Sequence, residues 1–185
     1  MYTIHLVRHC LATGQEPEAP LSTKGSAQAA SLAYVFDGLP VDVIITSPYT
    51  RAIQSAEPLA TRRQISLQVD ERLRERMLGC TGTLHWREAL KATFDDIDLV
   101  FPHGESSRQA VERACCVLSD AADHGLQNIV VMTHGNLMAL LLKSFDASLG
   151  FDTWACLTNP DVYRLTISEG NISLVRTWPL QEKGQ

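Results

Sequence analysis

The 185-residue chain contains no C-x-x-C pair, and its five cysteines, Cys10, Cys80, Cys115, Cys116 and Cys156, are odd in number with two adjacent. That pattern excludes a disulfide framework and a zinc knuckle and leaves reduced thiols, the usual state in the cytosol. No run approaches the ~18 consecutive apolar residues of a membrane span. Basic residues are not in excess: 16 Lys and Arg stand against 21 Asp and Glu, a net charge of -5. A general nucleic-acid binder needs a basic surface to displace counterions, so that function is excluded. A small anionic ligand is not, because a local cationic pocket can sit in an acidic protein. Met1 runs straight into the first apolar segment, which leaves no room for a signal peptide, and the expected location is cytoplasmic. No repeat, low-complexity run or linker interrupts residues 1–185, a length that suits one domain.

What is present is an alternation of strand and helix signals. Tyr2–Val7 reads as a buried strand and is followed by a polar, Pro-rich loop, Ala12–Pro20. Ser22 caps an Ala-rich helix reaching about Phe36. Val41–Thr46 is a second strand, and Ser47-Pro48 opens a second helix with proline near its first turn. Ile65–Val69 is a short third strand; residues 76–104 form an irregular, partly helical excursion that faces the substrate. Ser106–His124 resumes helical spacing, Ile129–Thr133 is a strand, and Leu137–Leu142 lies on the helix after it. Val162–Ile167 and Ile172–Val175, divided by Ser168-Glu169-Gly170-Asn171, form a terminal hairpin. Repeated βα units predict an α/β three-layer sandwich: a mainly parallel central sheet, helices on both faces and an antiparallel hairpin at an edge.

The chemistry-bearing residues fall where strands end. Arg8-His9 closes the first strand, Arg51 follows the second, and His134 follows Ile129–Thr133. Ligands of open α/β sheets collect outside the carboxyl ends of strands, and two guanidiniums with two imidazoles there suit a phosphate. Guanidinium forks match phosphate oxygens bidentately, which lysine cannot do. A neutral, oriented His9 is a competent covalent nucleophile, and His134, if protonated in the anionic pocket, can donate a hydrogen bond to the same oxygens. The leaving oxygen needs a proton, and Glu75, just past the third strand, is the candidate acid; like charge from bound phosphate would hold a proton on it. No spacing suggests a metal site.

These segments, in order, resemble the histidine phosphatase superfamily, the group that includes cofactor-dependent phosphoglycerate mutases. The resemblance rests on Leu6-Val7-Arg8-His9, Leu21-Ser22-Thr23-Lys24-Gly25, Ser47-Pro48-Tyr49-Thr50-Arg51-Ala52-Ile53-Gln54-Ser55-Ala56, Leu73-Arg74-Glu75, Gly104-Glu105-Ser106 and Thr133-His134-Gly135. It implies that His9 is phosphorylated in turnover, that Arg8, Arg51 and His134 complete the phosphate pocket, and that Glu75 is the proton donor. It also places Gln15 and the Gly135 backbone N–H against the phosphate. The chain departs from the family pattern at Cys10, where glycine is usual, and at Ala12, where a hydroxyl is common and Thr13 is the nearest substitute. The acid phosphatase and phytase branch is disfavoured, because it continues R-H-G-x-R-x-P and ends in His-Asp. A cysteine phosphatase needs H-C-x5-R, and position 16 is Glu16.

The implied activity is a metal-independent phosphatase, without cofactor, acting on a small phosphorylated substrate through phosphohistidine. Two alternatives stand beside it: a phosphoglycerate mutase requiring a bisphosphoglycerate primer, and a non-catalytic phospho-ligand binder on the same fold. Specificity is expected from residues 76–104, where Trp86, Arg87, Lys91, Phe94 and His103 are the candidate contacts. His5 and Cys10 are read as structural, and the oligomeric state is left open.

Overall fold

The computed structural model describes residues 1–168 and 170–178. Glu169, which the sequence reading puts in the hairpin turn, and residues 179–185 lie outside the described residues. The order is β1 (Tyr2–Arg8), α1 (Thr23–Val35), β2 (Val43–Thr46), α2 (Thr50–Arg63), β3 (Leu67–Val69), a 3-10 turn (Glu71–Leu73), α3 (Trp86–Asp95), α4 (Ser107–Asp123), β4 (Asn128–Thr133), α5 (Gly135–Phe145), α6 (Phe151–Ala155), β5 (Asp161–Ser168) and β6 (Asn171–Trp178).

One six-stranded sheet runs β3-β2-β4-β1-β5-β6. Its first four strands are parallel, β5 is antiparallel to β1, and β6 is antiparallel to β5. Side chains alternate across the sheet with period two and fill a core on each face. Ile4, Leu6, Ile129 and Val131 meet α4 and α5, while Val7, Ile44, Val130 and Met132 meet α1 and α2. Helix α5 is buried from Gly135 to Leu142, as expected of a helix apolar on every side. Helix α4 buries a single stripe, Ala110, Ala114, Val117, Leu118 and Ala121.

Helix starts follow capping chemistry. Ser22 Oγ accepts the Gly25 N–H at 3.0 Å, and Ser106 with Gln109 forms a reciprocal capping box. Several boundaries differ from the sequence reading, among them the start of β2 at Val43 rather than Val41 and the end of β6 at Trp178 rather than Val175. Helix α2 begins at Thr50, with Pro48 outside it and Tyr49 as the cap residue, because the chain must first leave β2 through Ser47, whose N–H bonds Met132 O at 3.0 Å. Strand β3 begins at Leu67, not Ile65: Gln64 ends α2 in the left-handed conformation, and Ile65 N–H turns back to Ala60 O.

The 76–104 excursion contains α3 and is tied at its base. Glu105 N–H bonds Met77 O at 2.9 Å and Cys80 N–H bonds Pro102 O at 2.8 Å. Gly79 and Gly104 permit that crossing, since a Cβ on either would collide with the opposing backbone. The described residues include no helix long and apolar enough to cross a membrane.

Candidate active site

All seven site residues singled out in the sequence meet at the carboxyl end of the parallel strands. His9 follows β1 and bonds through its N–H to Thr133 O at 2.9 Å, which ties the ends of β1 and β4 together. The His9 and His134 rings lie edge to face with centroids 5.1 Å apart. Arg51, in the first turn of α2, is 1% exposed. Its Nε donates to His9 Nε2 at 3.2 Å, and its Nη1 donates to the carbonyls of Gln15 (3.1 Å) and Glu16 (2.8 Å). Gln15 therefore contributes its carbonyl to the arginine, while the residue itself borders the cleft above.

Arg8 is held from the far end of the chain. Its Nη1 donates to Leu157 O at 3.0 Å, in the segment between α6 and β5. That segment is anchored in turn by Asp161, fully buried, which accepts the Thr158 N–H at 2.8 Å and pairs with Arg176 of β6. Gly135 allows a close approach here: a Cβ on it would stand 3.1 Å from the Arg8 guanidinium carbon, which would have to shift by a few tenths of an ångström. Glu75 joins no ion pair with its arginine neighbours. Its carboxylate accepts the N–H groups of Asn136 (3.0 Å), Leu137 (2.9 Å) and Arg76 (2.9 Å). Two of these are first-turn donors of α5, whose cap residue His134 offers no side-chain bond, so Glu75 satisfies them from a distant segment.

Both imidazoles are neutral at pH 7. Burial pulls His9 down to about 3, and the Arg51 and Arg8 charges push the same way against the Cys10 carbonyl, which accepts from Nδ1 at 2.6 Å. Burial lowers His134 well below its ordinary value, with His9 and Arg51 adding to it. With Nδ1–H given to Cys10 O, the lone pair of His9 is on Nε2. Burial also lowers Arg8 and Arg51, and Glu75 opposes this in both. Cys10, fully buried, is driven up to about 11 by burial, so it is a packed thiol and no nucleophile.

Among the described residues, five buried side-chain atoms lack a hydrogen-bond partner: Arg8 Nε, Arg76 Nε, His134 Nδ1, and Asn136 Nδ2 and Oδ1. Buried polar atoms are normally paired, so this clustering at one end of the sheet is informative. Arg8, Arg76 and Asn136 line one open cleft of about 490 Å³ with Glu75, Gly135, Trp86 and Trp154. The cleft can receive a phosphate group at its arginine end and an organic group along its tryptophan wall.

Sequence reasoning missed several participants. Ser47 Oγ stands 2.7 Å from His134 Nε2. The Tyr49 ring lies 4.8 Å from that of His134 and under the Arg51 guanidinium. Asn159 Nδ2 donates to His9 O at 2.7 Å. Ser47 and Tyr49 lay inside a quoted motif, which was the available signal; Asn159 carried none. Of the expected contacts in the excursion, Trp86 borders the cleft, whereas Phe94 is core, Lys91 and His103 are exposed, and Arg87 stacks on Phe151 and Trp154. The Thr13 hydroxyl donates to Pro20 O at 3.2 Å.

A parallel sheet that gathers two arginines and two neutral histidines at its carboxyl edge defines a class of α/β protein suited to a small dianion. Residues 4–178 match the family model of the histidine phosphatase superfamily (branch 1), and the chain belongs to that family. It is 29% identical over 143 residues to the adenosylcobalamin/alpha-ribazole phosphatase of Escherichia coli K12, covering 71% of this chain and 69% of that protein. It is 26% identical over 207 residues to a Shigella boydii protein named "Probable phosphoglycerate mutase GpmB", covering 100% and 93%. The mycobacterial glucosyl-3-phosphoglycerate phosphatase in complex with VO3 shares the fold at a TM-score of 0.77 and 22% identity, over 96% of this chain and 98% of that one.

Proposed function

We propose that His9 is the nucleophile of a phosphomonoesterase, with Arg8, Arg51 and His134 holding the transferred phosphoryl group and Glu75 handling the proton. The enzyme is a phosphoric monoester hydrolase of the histidine phosphatase type. One observation carries the assignment: His9 Nδ1 is committed to the Cys10 carbonyl, so a neutral ring directs the Nε2 lone pair toward the Arg51 guanidinium. A phosphate held on that guanidinium meets the lone pair directly.

His9 Nε2 attacks phosphorus, the N–P bond forms, and the P–O bond to the alcohol breaks as Glu75 gives its proton to the leaving oxygen. The resulting imidazolium keeps its Nδ1–H on Cys10 O. Water then attacks phosphorus, Glu75 takes its proton, the N–P bond breaks, and inorganic phosphate leaves. Arg8, Arg51 and the Gly135 N–H stabilise the charge on the peripheral oxygens throughout. The substrate is a small phosphomonoester whose alcohol has an apolar face for Trp86 and Trp154 and a polar group for the unpaired Asn136 carboxamide.

The whole-length likeness to a protein named as a mutase keeps that reading in play. Two measurements decide. Acid-quenched wild-type enzyme given an aryl phosphate traps phosphohistidine, and His9→Ala neither traps it nor retains a thousandth of the turnover; residual activity above a tenth rejects His9. Phosphoglycerate with a bisphosphoglycerate primer yields free phosphate; isomer without free phosphate establishes the mutase.

A further inference from the structure

His134 and Ser47 are each 0% exposed, and the Ser47 hydroxyl lies 2.7 Å from His134 Nε2. Ser47 Oγ also accepts the Tyr49 N–H at 3.3 Å. A serine hydroxyl has one proton to give and two lone pairs to offer. Among the described residues, His134 Nε2 is the acceptor within hydrogen-bond distance of that proton. His134 Nδ1 has no partner at all.

A neutral imidazole has one donor nitrogen and one acceptor nitrogen, so this arrangement permits two tautomers. With the proton on Nε2, the ring donates to Ser47 Oγ, the serine proton has no acceptor in a dry interior, and Nδ1 is a bare lone pair. With the proton on Nδ1, the serine donates to Nε2, Oγ still accepts from Tyr49, and the only unmet group is one N–H donor. The second arrangement leaves fewer buried groups unsatisfied. It also suits the ligand, because a phosphate dianion presents only acceptors.

We propose that Ser47 is a positioning residue that fixes His134 as the Nδ1–H tautomer and so turns its ring into a hydrogen-bond donor to the phosphoryl oxygens. The inference rests on the reading of His134 as part of the phosphate pocket. It gives the two histidines complementary duties from the same tautomer. His9 spends Nδ1–H on Cys10 O and faces phosphorus with a lone pair, while His134 spends Nε2 on Ser47 and faces the oxygens with a proton. Without the hydroxyl, no protein group opposes the other tautomer, whose Nδ1 lone pair repels an incoming anion. A catalytic histidine held in the wrong tautomer is strongly impaired even where geometry is intact.

The test is ring 15N–1H correlation spectroscopy of the phosphate-free protein, with His134→Gln used to assign the signals. The wild type is expected to show His134 protonated on Nδ1, with Nε2 a hydrogen-bonded acceptor. Ser47→Ala is expected to shift the ring toward Nε2–H and to lower kcat about 100-fold, whereas Ser47→Thr, which keeps the hydroxyl, stays within several-fold of wild type. A purely structural role for Ser47 would leave the tautomer of the folded Ala variant unchanged. An Nε2–H His134 in the wild type overturns the proposal, as does an Ala variant with kcat within about threefold of wild type. The wild-type spectrum decides even if the Ala variant fails to fold. It is also separate from turnover, so a protein that traps no phosphohistidine refutes the phosphatase mechanism while the ring protonation still judges Ser47.

Discussion

The floor of the cleft and its wall are built on opposite plans. The floor is Arg8, which lines the cleft, with His9, Arg51 and His134, which are buried and do not line it; all four sit at strand ends or a helix start. Each is tied to a group far away in sequence: Leu157 O holds Arg8, Thr133 O holds His9, Gln15 and Glu16 carbonyls hold Arg51, and Ser47 Oγ meets His134. The wall is Trp86, half exposed at the start of α3 and edge-on to Trp154 at 6.0 Å. It belongs to an excursion closed at its base by the Gly79–Gly104 crossing. The strand-end cluster is tied into the sheet where β1 and β4 end, whereas Trp86 stands outside the sheet on α3. On the proposed mechanism the strand-end residues carry the chemistry and the excursion carries recognition, so the two can vary separately.

That contrast can be broken at three levels of effect. The largest is expected for His134→Ala, which removes one donor to the phosphoryl oxygens. Steady-state kinetics should show kcat/KM reduced by about 10²–10³-fold, equally for every substrate. An effect on one substrate alone would move His134 from the floor to the wall.

The second uses acid. His5 is held down at about 4 by burial and the nearby Arg164 charge, and His9 at about 3. Well above pH 6.5 these rings are neutral in both folded and unfolded chains, and their contribution to stability is fully present. As pH falls below 6.5 the unfolded chain takes up protons that the folded one refuses, so stability is lost progressively toward about pH 3 to 4. At pH 5 each ring costs ~2 kcal/mol. Urea midpoints at pH 7.5 and 5.0 should show the loss, and Trp86→Ala should keep the same slope. A flat profile would mean that the rings are not buried neutral.

The smallest effect is expected for Trp86→Ala: KM for an aryl phosphate rises about fivefold, the loss of ~1 kcal/mol of ring contact, while kcat holds. A fall in kcat as large as that of His134→Ala would erase the distinction between floor and wall.

Local patterns were readable where the physics is local. Ser22 and Ser106 mark helix starts because each satisfies amide groups within three residues of itself. The apolar runs of β1 and β4 are readable because both faces of a central parallel strand are buried. Helix α6 was not anticipated: Phe151–Ala155 is too short to display a helical period. The Glu75 carboxylate lies beside the other candidate residues, and its bonds to the first turn of α5 span 61 and 62 residues and leave no mark on local composition.

The amino-acid order alone determined the alternation of strand and helix and the delivery of arginine and histidine to strand ends, since both follow from side-chain periodicity and the outlet geometry of a parallel sheet. Which nitrogen of each imidazole is free, which carbonyl grips Arg8, and what wall faces the phosphate were decided only by tertiary structure. Two of those properties depend on partners far apart in sequence, Ser47 Oγ for His134 and Leu157 O for Arg8, whereas the Cys10 carbonyl that holds His9 is its neighbour in the chain. A hydrogen bond acts over about 3 Å, and at that range spatial neighbourhood outweighs sequence neighbourhood.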